Sequence, residues 1–405
     1  MIKIIKNVEL YAPKYKGRKI IVLANDKIEG IYDSIKIPKD FLEIDVIDGE
    51  GFVAVPGFID SHVHIMGAGG EDGFKSRTPE ISLSEFIKAG TTTVVGCIGT
   101  DGITRNLKAL LAKAYALEEE GITTYCYTGS YDIPVITATE NIKNDIILLQ
   151  KVIGVGEVAI SDSRSSQASY SEFIKVVADT RVGGLLSGKA GIVNIHLGNG
   201  NNKMNYIFRV KEEGEIPLEQ LLPTHVNRNE KLFKEAIKYA KDGGYVDLTT
   251  ASDPEHLEQD EVKASNGLKR MLSEGVPLKQ ISFSSDGNGS LPVFDEKHQI
   301  IGVGICLPES LYREFKDAVL IEKLPLEDVL QVVTSNVAHI LKLENKGIIE
   351  KGKDADILLL NKNNLEIDTV IAKGKILMKN KEVLIKGTFE KSWYIFCWQI
   401  EKLNL

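Results

Sequence analysis

Pro56-Gly57-Phe58-Ile59-Asp60-Ser61-His62-Val63-His64 is an apolar run that ends in a His-x-His pair. Residues i and i+2 of an extended segment project to the same side. His62 and His64 therefore present two imidazoles side by side at the end of a strand. Neutral imidazole nitrogen is a preferred zinc ligand, so such a pair can grip one ion. By itself the pattern is weak, because His-x-His also occurs on solvated strand faces. The residues downstream decide between the two readings.

Outward from this run, residues 53–345 alternate short apolar strands with longer helix-like segments, the pattern of repeated βα units and a parallel sheet. Candidate strands are Val53–Ile59, Thr93–Ile98, Thr123–Thr128, Gly156–Ile160, Ile192–His196, Leu222–His225, Val246–Thr250 and Ile281–Asp286. Eight is the number a (β/α)8 barrel requires. Helical patterns lie between them at Leu107–Glu120, Tyr170–Val182, Lys231–Lys241 and Glu261–Glu274. Residues 1–52 carry short apolar runs broken by turn and charged residues, and short strands return after residue 345. The expected fold class is α/β: a TIM-like (β/α)8 barrel over 53–345, with a small β-sandwich domain built from both chain ends, 1–52 and 346–390. The remaining 391–405 form an atypical apolar tail that contains both tryptophans, Trp393 and Trp398. It is too short to span a bilayer, and packing against its own or a neighbouring subunit is the expectation.

Composition narrows the function. A formal net charge of −8 over 405 residues argues against a nucleic-acid binder, which shows a basic excess. Cys97, Cys126, Cys306 and Cys397 are scattered without metal-type pairing and read as buried thiols of a reducing compartment. The first residues lack the long apolar core of a secretion signal, and no stretch is long enough to cross a membrane. A cytoplasmic protein with no membrane partner is expected.

Residues with metal-binding capacity fall at the carboxyl ends of the candidate strands. His62 and His64 close the first, Glu157 lies in the fourth, His196 ends the fifth, His225 the sixth and Asp286 the eighth. In a (β/α)8 barrel these ends converge on one rim, where active sites lie. Four of the seven histidines land there, while His256, His298 and His339 fall in loop or helix contexts. Four imidazoles and two carboxylates suffice for two divalent ions, with Glu157 available as a bridge. Two metals about 4 Å apart can share a water, lower its pKa and polarise a carbonyl. Asp286 can bind one metal, accept the proton of that water and pass it to a leaving amine. The chemistry is hydrolysis of an amide-like bond.

The barrel, the His62-Val63-His64 pair and the later His, His and Asp resemble the amidohydrolase superfamily of metal-dependent hydrolases, and within it the isoaspartyl dipeptidases. The blocks that carry the resemblance are Gly69-Gly70-Glu71, Gly99-Thr100-Asp101, Thr128-Gly129-Ser130-Tyr131, Ala159 to Ser165, Leu222 to Asn229 and Ser284 to Ser290. It runs from the first strand to about Phe389. It implies two divalent metal ions, Zn2+ first among them, a metallo-dipeptidase activity on β-aspartyl dipeptides, and a homo-oligomer. It also implies roles for particular residues. Glu71 would bind the free α-amino group, with Gly69 and Thr100 lining the same subsite. Arg164, Arg228 and Ser290 would hold substrate carboxylates, a task suited to guanidinium. Tyr131 would donate to the scissile carbonyl as it becomes an oxyanion.

Two positions depart from the pattern. Glu157 stands where relatives often carry a carbamylated lysine, and Ser163 where a histidine is expected beside the arginine. Glutamate still offers a carboxylate but is shorter, which leaves open whether one or two ions bind tightly, and nickel, manganese or iron can compete with zinc. The alternative enzyme reading keeps the metals but changes the substrate to a cyclic amide or an N-acyl amino acid, as in hydantoinase or dihydroorotase. Glu71 argues against it, since a cyclic-amide hydrolase has no use for an α-amine subsite. A non-catalytic assembly protein on the same fold would have lost metal ligands, and none is missing.

Overall fold

The computed structural model describes residues 2–37, 43–252, 260–294 and 300–390. The tryptophan-bearing tail, Cys397, His256 and His298 lie outside them. Among the described residues five strands precede the barrel: β1 (Ile2–Tyr11), β2 (Tyr15–Ala24), β3 (Lys27–Tyr32), β4 (Ile44–Asp48) and β5 (Phe52–Pro56). The barrel strands are β6 (Phe58–Val63), β7 (Thr91–Gly96), β8 (Thr123–Thr128), β9 (Val152–Ile160), β10 (Ile192–Leu197), β11 (Leu221–Thr224), β12 (Val246–Thr249) and β13 (Ile281–Ser284). A hairpin, β14 (Ser290–Phe294) and β15 (Ile300–Ile305), follows, and β16 (Ile357–Asn361), β17 (Ile367–Ala372), β18 (Lys375–Lys379) and β19 (Glu382–Val383) complete the described strands.

The eight expected barrel strands are present, and their composition explains why they were readable. Every residue of β6, β7, β9, β10 and β11 is buried, as befits a parallel sheet covered on both faces. Strands β6 to β11 pair side by side in one parallel sheet, and β12 pairs with β13. The two junctions are tied by side-chain and backbone hydrogen bonds. Asp247 of β12 accepts from Thr224 (2.8 Å) and from Ser282 (2.7 Å), joining β11, β12 and β13. Asp60 of β6 accepts the Ser285 N–H (3.1 Å), and the His64 N–H donates to the Gly287 carbonyl (2.8 Å), which closes the barrel.

Helices cover the outside: α1 (Leu83–Lys88), α2 (Leu107–Glu120), α3 (Ile142–Leu148), α4 (Tyr170–Ser187), α5 (Asn205–Glu213), α6 (Glu230–Lys241), α7 (Ala264–Ser273) and α8 (Glu309–Leu320), then α9 (Leu326–Val333) and α10 (Ser335–Ile340). Helix α2 shows the logic. Leu107, Leu110, Ala114 and Leu117 recur at helical spacing and are buried, and Asn106 caps the first turn by accepting the Ala109 N–H at 3.2 Å, an interaction that stabilises by about 1 kcal/mol. Among the described residues no helix is long and apolar enough to cross a membrane.

One strand expectation is corrected. Val53–Ile59 is not a single barrel strand: it breaks at Gly57 into β5, which belongs to the sheet of the chain ends, and β6, which opens the barrel. Gly57 lies so close to β7 that a Cβ there would stand 2.2 Å from Thr92 Oγ1. The end sheet runs β19-β18-β17-β16-β5-β1-β2-β3, with β4 also on β1. A bulge between Ile5 and Val8 turns β1, so that Ile2–Lys6 pairs with β4 and Glu9–Leu10 with β5. The branched sheet closes over its own core of Ile5, Leu10, Ile21, Ile47, Ile357 and Ile371. Lys346 ties this unit to the barrel. Its buried Nζ reaches Thr123 at the start of β8 (2.6 Å), Asp356 (2.6 Å) and Asp354 (2.8 Å).

Candidate active site

Glu157 sits in mid-rim with its two oxygens facing different partners. Oε1 lies 3.2 Å from His64 Nε2, and Oε2 lies 3.3 Å from His62 Nε2, 3.0 Å from His196 Nδ1 and 3.8 Å from His225 Nε2. Asp286 Oδ1 approaches His64 Nε2 at 3.1 Å and His62 Nε2 at 3.5 Å. The structure therefore brings all the sequence-derived ligand candidates, from the ends of β6, β10, β11 and β13 and from within β9, into one cluster. His225 and Asp286 both adopt positive φ, 59° and 53°; each stands just past its strand, where the backbone turns its side chain over the rim.

Donor chemistry fits a cation. Both ring nitrogens of His62, Glu157 Oε1, His225 Nε2 and Asp286 Oδ1 are buried without a hydrogen-bond partner. Buried polar atoms are normally satisfied, so atoms that converge without bonding one another mark a ligand set. Among the described residues two overlapping groups result, His62-His64-Cys97-Glu157 and Glu157-His196-His225, each with its donor atoms within 4.8 Å of one another. Outer partners orient the rings: Thr249 Oγ1 lies 2.7 Å from His225 Nδ1, and Asp162 Oδ2 lies 3.0 Å from His196 Nε2. Such contacts set the tautomer of a metal-binding histidine.

Electrostatics assign protonation. Burial drives His225 down to about 3, with His196 adding to the shift, so its imidazole is neutral. Burial works to raise Asp286, but the His64 contact and the charges of His62 and His64 outweigh it and hold the carboxyl at about 2. Burial, reinforced by Glu157, raises the Tyr131 phenol well above its ordinary value, so it stays a donor. Its hydroxyl lies 2.9 Å from His196 Nδ1, directly on the cluster.

The cluster forms the floor of a cavity of ≈ 520 Å³. At its mouth Glu71 accepts from Thr100 Oγ1 (2.9 Å) and Ser290 Oγ (3.3 Å), and pairs with Arg164 (3.4 Å). Arg164 is also gripped by Asp162, Nε to Oδ1 at 3.0 Å and Nη2 to Oδ2 at 2.8 Å. Arg228 lines the same cavity and is anchored by the Leu197 carbonyl at 3.0 Å. Gly69, two residues before Glu71, adopts φ +72°, where a Cβ would come within 2.4 Å of the Ser76 carbonyl, and it is not among the residues that line the cavity. Ser163 is exposed at the cavity wall. Two members escaped the sequence reading. Cys97 reads from sequence as a buried thiol, which it is, and the fold adds that it stands immediately after β7 at the rim. Asp162 carries no role in the sequence pattern, and only the fold shows that it bridges His196 and Arg164.

The amidohydrolase family profile matches residues 53–377. The chain belongs to the amidohydrolase family. Among solved members, this amidohydrolase is similar to the β-aspartyl dipeptidase of the thermophilic keratin-degrading Fervidobacterium islandicum AW-1, determined in complex with a β-Asp-Leu dipeptide: 45% identity, TM-score 0.87, 95% of this chain and 98% of that one covered. It is 23% identical to a 5-methylthioadenosine/S-adenosylhomocysteine deaminase of Caldanaerobacter subterraneus subsp. tengcongensis, with 94% of each chain covered. It is 24% identical to a dihydroorotase of Aquifex aeolicus, with 92% of this chain and 93% of the relative covered.

Proposed function

We propose that this amidohydrolase cleaves β-aspartyl (isoaspartyl) dipeptides, with divalent cations, Zn2+ foremost, held by His62, His64, Glu157, His196, His225 and Asp286. The observation that carries the reading is the Glu71–Arg164 pair at the mouth of the cavity, flanked by Thr100 and Ser290. One acid and one arginine that neutralise each other at rest match the α-ammonium and carboxylate of an aspartyl residue, which would exchange with them. The similarity to a β-aspartyl dipeptidase supports the same substrate class.

When bound, the cations supply Lewis acidity and lower the pKa of a water. The chain's own residues do the rest. Glu71 receives the α-ammonium, and Arg164 and Arg228 hold carboxylates, charge-assisted contacts that fix the β-amide over the cluster. Tyr131, kept protonated, donates to the carbonyl oxygen as negative charge develops there. Asp286, an anion at neutral pH, takes the proton of the attacking water and returns it to the leaving amine.

The test is hydrolysis of β-Asp-Leu against α-Asp-Leu by one enzyme preparation with its metal quantified. Selective release of aspartate and leucine from the β isomer is expected. Metal-loaded enzyme that leaves both dipeptides intact but opens dihydroorotate or a hydantoin would replace this reading with the cyclic-amide one.

A further inference from the structure

Cys97 occupies a position that the hydrolytic reading does not use. It follows β7, donates its N–H to the Val63 carbonyl between the two histidines of the His-x-His pair (3.0 Å), and is 1% exposed. Its sulfur lies 3.7 Å from His64 Nδ1 and forms no disulfide. Together with one donor atom each from His62, His64 and Glu157 it completes a set whose members all lie within 4.8 Å of one another. The remainder of that set points to a ligand independently of the cysteine: both His62 nitrogens and Glu157 Oε1 are buried and unpartnered.

We propose that Cys97 is a thiolate ligand of the cation held by His62 and His64, so that one thiolate, two imidazoles and one carboxylate make up that half of the centre. Four protein donors are the complement of a closed tetrahedral zinc site, whereas three protein donors leave a position open. The two halves of the centre are thereby unequal. The half built on Cys97 is saturated, and the half built on Glu157, His196 and His225, beside the Tyr131 hydroxyl, keeps the open position for substrate. A soft sulfur donor also biases this half toward zinc or cobalt and away from manganese or magnesium. Ligation releases the thiol proton to solvent. The inference rests on the donor cluster alone and holds whichever amide the enzyme cleaves.

The competing role for Cys97 is a hydrogen-bond partner that orients His64 without touching metal. Spectroscopy separates the two. Enzyme stripped with chelator and reloaded with cobalt(II) is expected to show near-ultraviolet thiolate-to-cobalt charge-transfer absorption. The band is expected to vanish in Cys97→Ser and to persist in Cys126→Ser, which alters a buried thiol on β8 that is not a member of the donor set. Zinc-edge X-ray absorption of the unmodified enzyme is expected to show one sulfur at about 2.3 Å; this measurement needs no variant to fold. Absence of the band and of the sulfur shell in the unmodified enzyme, or a band that survives Cys97→Ser, would overturn the assignment. Loss of β-Asp-Leu hydrolysis alone would bear on the substrate and leave these readouts unmoved.

Discussion

Asp162→Asn removes a full negative charge from between the metal cluster and the substrate mouth while keeping the side chain's shape. The charge is present at any assay pH: burial opposes ionisation, yet His196 and Arg164 hold the carboxyl far below the usual range. Asp162 accepts from His196 Nε2 at 3.0 Å and from Arg164 at 3.0 and 2.8 Å, with a side chain only 7% exposed. An amide in its place keeps one acceptor oxygen and turns an N–H donor toward a cation. Hydrogen bonds to charged groups contribute about 1.5–3 kcal/mol, and loss of an outer partner of a metal-binding histidine costs roughly 10–100-fold in affinity or activity. The ranges agree, since each tenfold is about 1.4 kcal/mol. The expected result is a drop of about 10–100-fold in kcat/KM on β-Asp-Leu at saturating metal, most of it in KM because Arg164 loses its anchor. A parallel loss of metal affinity, read by competition with a chromophoric chelator, reports the His196 contact. Thermal unfolding of the apo-protein is expected to change little. If kcat/KM and metal affinity both stay at their original values, Asp162 does not couple the two halves of the site.

Glu71→Gln is expected to lower kcat/KM on β-Asp-Leu by about 10–100-fold, the worth of one charged contact. The preference for the free dipeptide over its Nα-acetyl derivative should collapse with it, and a preserved ratio would remove Glu71 from the amine subsite. Tyr131→Phe is expected to reduce kcat by about 100–1,000-fold with KM little changed, the signature of an oxyanion donor, as read from steady-state kinetics. Lys346→Met strands Asp356 and weakens the partnership of Asp354, and breaking such a buried pair destabilises by about 3–5 kcal/mol. Its pH dependence has a definite sign. Asp354 is depressed, with burial opposing and Lys346 and Lys27 prevailing, so its stabilisation is present above its unfolded value of 3.8 and fades as pH falls below it. Lys346 is raised, the two aspartates prevailing over burial, so its contribution is complete below 10.5 and fades only above. Denaturant unfolding should therefore show the full deficit of the variant at pH 7 and a smaller one at about pH 3, where Asp354 takes up a proton; an equal deficit at both values would contradict the pairing.

How much of this was legible in the chain depends on whether the signal was local. The barrel strands were readable because a parallel strand covered on both faces has no polar side to interrupt it, as in Val152–Ile160. The same rule hid the break at Gly57: β5 and β6 are both apolar, and nothing in a run of buried residues reveals that its halves belong to different sheets. The metal-ligand candidates in and just after the barrel strands stood out because imidazoles and carboxylates are rare in buried strands and so announce a demand. Cys97 meets the same demand without the announcement, since an unpaired cysteine is among the most commonly buried residues and packs as a small hydrophobe. A cysteine seen without its neighbours carries no charge signal; placed beside His64 and the unpartnered nitrogens of His62, it does. Asp162 is the opposite case. Its charge was visible, but its two partners are separated from one another by 32 residues and meet only because β9 and β10 run side by side. A ligand set can thus be read from residue type at strand ends, whereas the residues that tune it are defined by neighbours that only the closed barrel supplies.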